Sequence, residues 1–330
     1  MTSRELQKYA SQLTPYQLDQ IKAQILRYLV LNDELEDTTP ECCPYCKDAT
    51  AIIKKGRPGG KQMYQCKGCG RRFRYDAQQI TAHSHQARES WVILIEDTLA
   101  LVSLDDTARH IHVCHDTAFH MRHKLLAYLE GLAESSEPLE ALVELDETYV
   151  VESQKGTPVT HRKPRKHGEG ASQRGLSNEQ LCVCVASDRN GNVYAKCSNR
   201  AAPSAEDLIQ SLGDHIAPQS VMLTDGGKGY VGLASHVKCK QVVLIGHESY
   251  DKVYHLNTVN GLHSRFKNMM RQYRGVASKY LNRYVALFTL ISHFCTDTVE
   301  AAADELRRAL GSMRMNVTIE SAKTLGLLDI

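Results

Sequence analysis

Three things are missing from this 330-residue sequence, and each narrows what it does. No apolar run approaches the roughly twenty residues that span a bilayer, which argues against a helical membrane protein. The opening stretch, MTSRELQKYASQL, has no apolar segment behind its early charges and does not read as a secretory leader. The expectation is a cytoplasmic chain, in which 11 cysteines read as metal ligands or buried thiols and not as disulfides. The third absence is local. There is no Asp or Glu between residues 49 and 75, and none from Lys252 to Thr296, although the whole chain is close to neutral at +2. Bases fill both gaps: Lys54, Lys55, Arg57, Lys61, Lys67, Arg71, Arg72 and Arg74 in the first, and Lys252, Arg265, Lys267, Arg271, Arg274, Lys279 and Arg283 in the second. Surfaces stripped of acid in this way suit phosphate. A solubilising face is the plainer alternative for the first.

What is present falls into segments. Residues 1–38 have the helical spacing of Ile21, Ile25, Leu26 and Leu29, followed by the acidic linker NDELEDTTPE. Residues 39–78 form a cysteine-rich module, 79–134 read as helices, 138–296 as an α/β domain, and 297–330 as a helical tail. In the α/β part, ALVELDETYVV is a strand, and LCVCVASDRNGNVYAKCS is two strands around a turn at Asn190-Gly191. SVMLTDGG and QVVLIG are short apolar strands, with a helix capped by Ser204 between the hairpin and the first of them. Strands interleaved with helices in this order predict a mixed sheet. The loop at 154–176 has no hydrophobic period, and its Lys163, Arg165 and Lys166 are expected to meet phosphates without reading bases.

Cys43-Pro-Tyr-Cys46 and Cys66-Lys-Gly-Cys69 supply two chelating pairs at the spacing of a zinc ribbon. The module is too short for an apolar core, so Zn²⁺ would supply its folding energy. Arg71, Arg72 and Arg74 follow directly as candidate DNA contacts. Next, SLDDTARHIHVCHDTAFHMRHKLLAYLE has the pattern of a helix-turn-helix. Ser103 or Asp105 caps the first helix. The second carries Ala118, Met121, Leu125 and Leu129 on one face and Thr117, His120, Arg122, His123 and Lys124 on the other, a face suited to a major groove. Helix pairs inside enzymes share this pattern.

Asp146 and Asp225 each close an apolar strand, where an unpaired carboxylate is costly unless it binds a cation. The two could share Mg²⁺ or Mn²⁺, hard cations that take oxygen ligands. The third candidate lies in the acid-free stretch HLNTVNGLHSRFK. There Asn257 is a candidate N-cap, and Asn260, Ser264, Lys267 and Arg271 fall on one helical stripe. Asn260 is either a metal ligand through its amide oxygen or the second half of a capping box, and the residues alone leave both open.

The order of zinc ribbon, helix-turn-helix, LDETYV, TDGGKGY and HLNTVNGLHSRFKNMMRQYRGVASKYL resembles the ISXO2-like group of bacterial insertion-sequence transposases, over roughly residues 40–290. The resemblance implies an RNase-H-like α/β core and Mg²⁺-dependent DNA cleavage and strand transfer. It implies Asp146, Asp225 and Asn260 as metal ligands, with Lys267 as a catalytic lysine beside the cut. It also implies double-stranded DNA as partner (element ends and target), with Arg265 and Arg271 near the strand, a homo-oligomer on DNA, and work at the nucleoid. A non-catalytic repressor derived from a transposase, or a structure-specific nuclease on the same core, is the alternative.

Overall fold

The computed structural model describes residues 40–294, apart from 41, 61, 75–79, 81–83, 157–162, 164–168, 246–252 and 274, together with 317 and 322. The helix expected over 1–38 and nearly all of the tail over 297–330 therefore lie outside the described residues, as do Arg165, Lys166, Lys61, Lys252 and Arg274. The described chain forms two compact units that divide between Leu132 and Ala133.

The first unit begins with the cysteine module. Three short antiparallel strands, β1 (Ile52–Lys54), β2 (Met63–Cys66) and β3 (Arg72–Arg74), pair in that order. Their apolar centre is Cys43, Tyr64, Cys66 and Phe73, with Tyr64 stacked on Phe73 at 5.9 Å between ring centroids. Helices α1 (Arg88–Leu99), α2 (Leu104–His110) and α3 (His115–Glu134) follow. Ser103, as expected, caps α2 by accepting the Asp106 amide at 3.2 Å.

The face of α3 expected to read DNA is not where its residues lie. Every residue from Met121 to Leu129 is buried, and Arg122, His123 and Lys124 are 2%, 5% and 2% exposed. The Arg122 guanidinium donates to the Val102 carbonyl at 3.1 Å and the Thr107 hydroxyl at 2.7 Å, which fastens α3 to α2. The Lys124 ammonium lies over the Trp91 ring, 5.7 Å from its centroid. The alternation of apolar and basic residues looked one-sided. Long basic side chains reach interior carbonyls, hydroxyls and ring faces with their heads while their stems pack, so both sides of α3 are interior. Arg122 and Lys124 are framework residues, not DNA contacts.

The second unit is one five-stranded sheet in the order β6-β5-β4-β7-β8, formed by β4 (Leu142–Val151), β5 (Gln180–Asp188), β6 (Val193–Arg200), β7 (Val221–Thr224) and β8 (Lys240–Val243). β4, β5 and β6 run antiparallel in succession, whereas β4, β7 and β8 are parallel. Helices α4 (Ala205–Leu212) and α5 (Gly229–Val237) belong to a core with Val143, Leu145, Cys182, Cys184 and Tyr194. Helix α6 (Asn257–Gln272) lies against β4 and β5, and α7 (Leu281–Phe294) against β6. Burial of β5 on every residue from Leu181 to Asp188 follows from layers on both sheet faces. This is the RNase-H-like core.

Helix α5 follows the glycine-rich stretch after Asp225. Gly226 does turn the chain in the left-handed region, at φ 95°. Gly229 serves packing: a Cβ there would meet Leu208 Cδ1 at 2.8 Å, and one on Gly232 would meet the Ala205 Cβ at 2.5 Å. These glycines let α5 close on α4.

Burial lowers the Lys124 ammonium from its ordinary 10.5 to about 8. Below pH 8 the lysine is charged in both folded and unfolded chains, and the fold bears the cost of the buried charge. As pH rises from about 8 to 10.5 that cost fades. Lys124→Met is therefore expected to raise the thermal midpoint at pH 7 and to lose that advantage towards pH 10.5. A midpoint difference constant from pH 7 to 10.5 would contradict the burial account.

Candidate active site and nucleic-acid interface

The site forms where parallel strands end. β7 pairs with Leu142, Val143 and Glu144 of β4 and stops at Thr224, so Asp225 leaves the sheet beside the still-extended β4. Open α/β sheets bind ligands outside such carboxyl ends. The carboxylates of Asp146 and Asp225 meet here, joined by that of Glu147, with one oxygen of each within 4.8 Å of the others. Asp146 Oδ1 accepts the Glu147 amide at 2.9 Å, and Asp225 Oδ1 accepts the Gly227 amide at 3.1 Å. Burial raises Asp146 to about 6, assisted by the Asp225 charge and opposed by the Glu147 amide and by Lys267. Burial also raises Glu147 to about 7, with Tyr230 opposing and the two aspartates adding to it. Three carboxylates this close, two of them partly buried, are what a hard divalent cation offsets, and the oxygen-only donor set suits Mg²⁺ or Mn²⁺.

Helix α6 brings the basic stripe to this end of the sheet. Asn260, Ser264, Lys267 and Arg271 are all exposed, while Val259, Leu262, His263, Phe266 and Met269 are buried. Lys267 follows His263 by one turn of α6, and its charge opposes the rise of Asp146. His263, one turn after Asn260, sets Nδ1 3.7 Å from Asp146 Oδ2. Burial, helped by Lys267, lowers this histidine to about 4, so its ring is neutral at pH 7 and the contact is not an ion pair. Arg271 donates to Asn268 Oδ1 at 3.0 Å, Arg265 is half-buried, and Arg283 is fully buried against the Tyr280 ring and takes no part in the basic surface.

The cap expected at Asn257 is made elsewhere. The helix has no side-chain cap of its own and no acid in its first turn. Instead, Glu144 Oε2 accepts the amides of Thr258 and Val259 at 2.9 and 3.1 Å. Glu144 is 0% exposed, sits on β4 two residues before Asp146, and pairs with Arg189 from the β5–β6 turn and with His255 Nδ1 at 3.2 Å. Arg189 in turn donates to the Val253 carbonyl at 2.7 Å and the Thr258 hydroxyl at 3.2 Å. A carboxylate at a helix N-terminus satisfies unpaired amides and complements the helix dipole. Asn260 contributes its backbone amide to Leu256 in an ordinary helical bond at 3.0 Å, and no capping box is formed.

In the other unit, Cys43, Cys46, Cys66 and Cys69 converge, with one sulfur of each within 4.8 Å of the rest. The Cys43–Cys69 and Cys46–Cys66 sulfurs are 3.7 and 3.5 Å apart. Ligands of a tetrahedral zinc at about 2.3 Å stand about 3.8 Å apart, so four thiolates in this arrangement fit that ion. Each pair closes through a matching knuckle: Lys47 donates to the Cys43 carbonyl at 2.9 Å and Gly70 to that of Cys66 at 2.9 Å, both with left-handed φ. Arg71, Arg72 and Arg74 are exposed beside it, Arg71 over the Tyr45 ring at 4.9 Å, and Lys163 of the basic loop is exposed as well. With the middle of α3 buried, the accessible part of the helix pair is the end of α2 and the first turn of α3: Arg109, His110, His112 and His115 are exposed, and Thr117 and His120 half so.

The sheet thus carries Asp146 and Glu147 within β4 and Asp225 just past the end of β7, with the basic stripe of α6 on the helix that packs on β4 and β5. Residues 138–290 match the family model of the ISXO2-like transposase domain. A relative from Halobacterium salinarum (strain ATCC 700922 / JCM 11081 / NRC-1), described as an uncharacterised protein in transposable element ISH50, is 27% identical over 255 residues. That match covers 75% of this chain and 84% of the relative. Solved structures that match more distantly include a pre-cleavage Mos1 transpososome, 11% identical with a TM-score of 0.27, and a mariner Mos1 paired end complex with Mg, 13% identical with a TM-score of 0.28. Each covers 68% of this chain and 77% of the solved chain. The sheet order, and not these distant likenesses, defines the fold. Residues 138–290 are thus similar to an ISXO2-like transposase domain.

Sequence reasoning missed Glu144, Arg189 and Glu147. Glu144→Gln removes the charge from a buried pair and presents an amide donor to helix amides. It is expected to cost roughly 3–5 kcal/mol of stability in denaturant titration, and the Thr258 and Val259 amides should exchange with deuterium much faster. The exposed neighbour change Glu140→Gln should do neither. Unaltered exchange at 258–259 in Glu144→Gln would show that α6 is held by other means.

Proposed function

We propose that this protein is a transposase that binds the terminal inverted repeats of an insertion sequence and carries out divalent-metal-dependent strand cleavage and strand transfer at Asp146, Asp225 and Asn260. The observation that carries this reading is the meeting of the Asp146 and Asp225 carboxylates where β7 ends beside β4, within reach of the Lys267 charge. Mg²⁺ or Mn²⁺ held by these residues would supply activation of an attacking hydroxyl and stabilisation of the leaving oxygen in an in-line displacement. The chain's part is positioning. Asp146 is fixed by β4, Asp225 by the Asp225–Gly227 turn, and Asn260 by the cap that Glu144 places on α6. Asn260 offers a neutral oxygen. Lys267 sits where it would neutralise a phosphate oxygen next to the cut, and Arg271, one turn further along the exposed stripe, would guide the strand, with Arg265 flanking. A helix free of carboxylates lets the phosphate backbone approach without repulsion. A repressor without catalysis would have no use for three carboxylates held this close.

End recognition falls to the first unit. The four cysteines hold Zn²⁺, and Arg71, Arg72 and Arg74 contact phosphates. The first turn of α3, with His115, Thr117 and His120, is the part of the helix pair that would face bases, as recognition helices do with their N-terminal residues. The basic loop with Lys163, Arg165 and Lys166 adds contacts indifferent to sequence. The protein acts as a homo-oligomer on DNA, joining two element ends, and works at the nucleoid in the cytoplasm.

Two experiments test this. On labelled element ends with Mg²⁺, Asp146→Ala should abolish cleavage, and Asn260→Ala should slow it by roughly a hundredfold, a few kcal/mol of transition-state stabilisation. Both should keep DNA binding and the thermal midpoint. An Asn260→Ala protein that cuts at the normal rate would remove Asn260 from the site. For the ribbon, freshly purified reduced protein should carry about one Zn²⁺ per chain. Cys66→Ser should lose both the zinc and specific end binding while leaving the α/β unit folded. Metal-free protein that still selects element ends would contradict this assignment.

A further inference from the structure

Asp146 and Glu147 are consecutive residues of a strand, and strand geometry sends consecutive side chains to opposite faces. Asp146 obeys this by lying beside His263 of α6, and Glu147 by lying beside Tyr230 of α5, in the opposite layer. Yet their carboxylates come together with that of Asp225. The sheet explains how. Past Glu144, β4 has β5 along one edge only, because β7 has already ended. The other edge is a notch, and a glutamate has one methylene more than an aspartate with which to reach around it.

Among the described residues no cation accounts for Glu147 being there. Among the described residues it forms no ion pair, unlike Glu144 and Glu152, which pair with Arg189 and Arg200. The Tyr230 ring is 1% exposed, and its hydroxyl faces Glu147 without a formed hydrogen bond. On the other side of the cluster His263, 8% exposed, has Nε2 equally without a partner. Two buried polar groups without partners therefore border the three carboxylates, each at a cost that an ordered ligand shell would relieve.

Given the proposed metal-dependent reaction, we infer that Glu147 is a third carboxylate ligand of the divalent-cation site, in the charge role that the neutral Asn260 leaves empty. Asp146 and Asp225 provide two negative charges, and Glu147 raises the set to three. Filling the site draws the Glu147 carboxylate towards Asp146 and Asp225 and leaves its second oxygen to accept from Tyr230.

The test is Mn²⁺ binding to the zinc-loaded full-length chain without DNA, by electron paramagnetic resonance and by the rise in thermal midpoint with added Mn²⁺. Glu147→Gln keeps size and removes charge. It should raise the midpoint of the metal-free protein, by relieving like-charge repulsion, and weaken Mn²⁺ binding by about tenfold or more. Glu147→Asp, which is too short to reach around the notch, should weaken binding in the same way. Tyr230→Phe should weaken it less. If both Glu147 variants bind Mn²⁺ as the parent does while Asp146→Asn loses it, Glu147 is not a ligand and the proposed reaction site stands. If Asp146→Asn and Asp225→Asn also bind normally, the metal site itself is wrong, and this inference falls with it.

Discussion

The fully buried carboxylate of Glu144 is the contact on which the catalytic arrangement depends. A helix that meets DNA cannot carry acids in its first turn without repelling phosphate, but a helix without them leaves its first amides and its dipole uncompensated. This protein resolves the conflict by borrowing the acid. Glu144 reaches from the central strand to the amides of Thr258 and Val259, and its buried charge is balanced by Arg189. The acid-free stretch after Lys252 is thus compatible with a well-capped helix.

The same contact sets the geometry of the site. Glu144 and Asp146 lie on one strand with one residue between them, and Thr258 and Asn260 lie on one helix with the same separation. Fixing the first residue of each pair to the other ties the start of α6 to the strand that carries Asp146. His263 against Asp146 extends the alignment by one turn. Arg189 adds the β5–β6 turn, itself ordered by Asp188, which accepts the amides of Asn190 and Asn192 at 2.9 Å. The carboxylates are therefore held by the sheet and the basic stripe by a pinned helix, the kind of support that holds reacting groups in place.

Much of this was legible from residue order, and the failures share a cause. The β5–β6 hairpin, the Ser204 cap and the exposed stripe of Asn260, Ser264, Lys267 and Arg271 are local patterns, and the structure has them; of the two strands expected to close on an aspartate only β7 does, because β4 runs on through Asp146 to Val151. The Glu144 cap joins residues 114 and 115 positions apart, and in the sequence Glu144 is only another polar position in LVELDETYV. Glu147 was hidden by the alternation rule, which placed it on the face away from Asp146; only the early end of β7 brings it back. Arg122 and Lys124 were misplaced because periodicity shows that a helix has an apolar face and cannot show that its other face is covered too.

The central claim is that Asp146, Asp225 and Asn260 face one divalent-cation site because Glu144 pins the helix to the strand. The most direct measurement is anomalous diffraction from crystals of the full chain on element-end DNA, grown with Mn²⁺. The account predicts a Mn²⁺ peak about 2.1 Å from oxygens of Asp146 and Asp225, with the Asn260 amide oxygen in the same shell and Glu144 still on the Thr258 and Val259 amides. A peak bound by Asp146 alone, or an Asn260 side chain turned away from an occupied site, would contradict it.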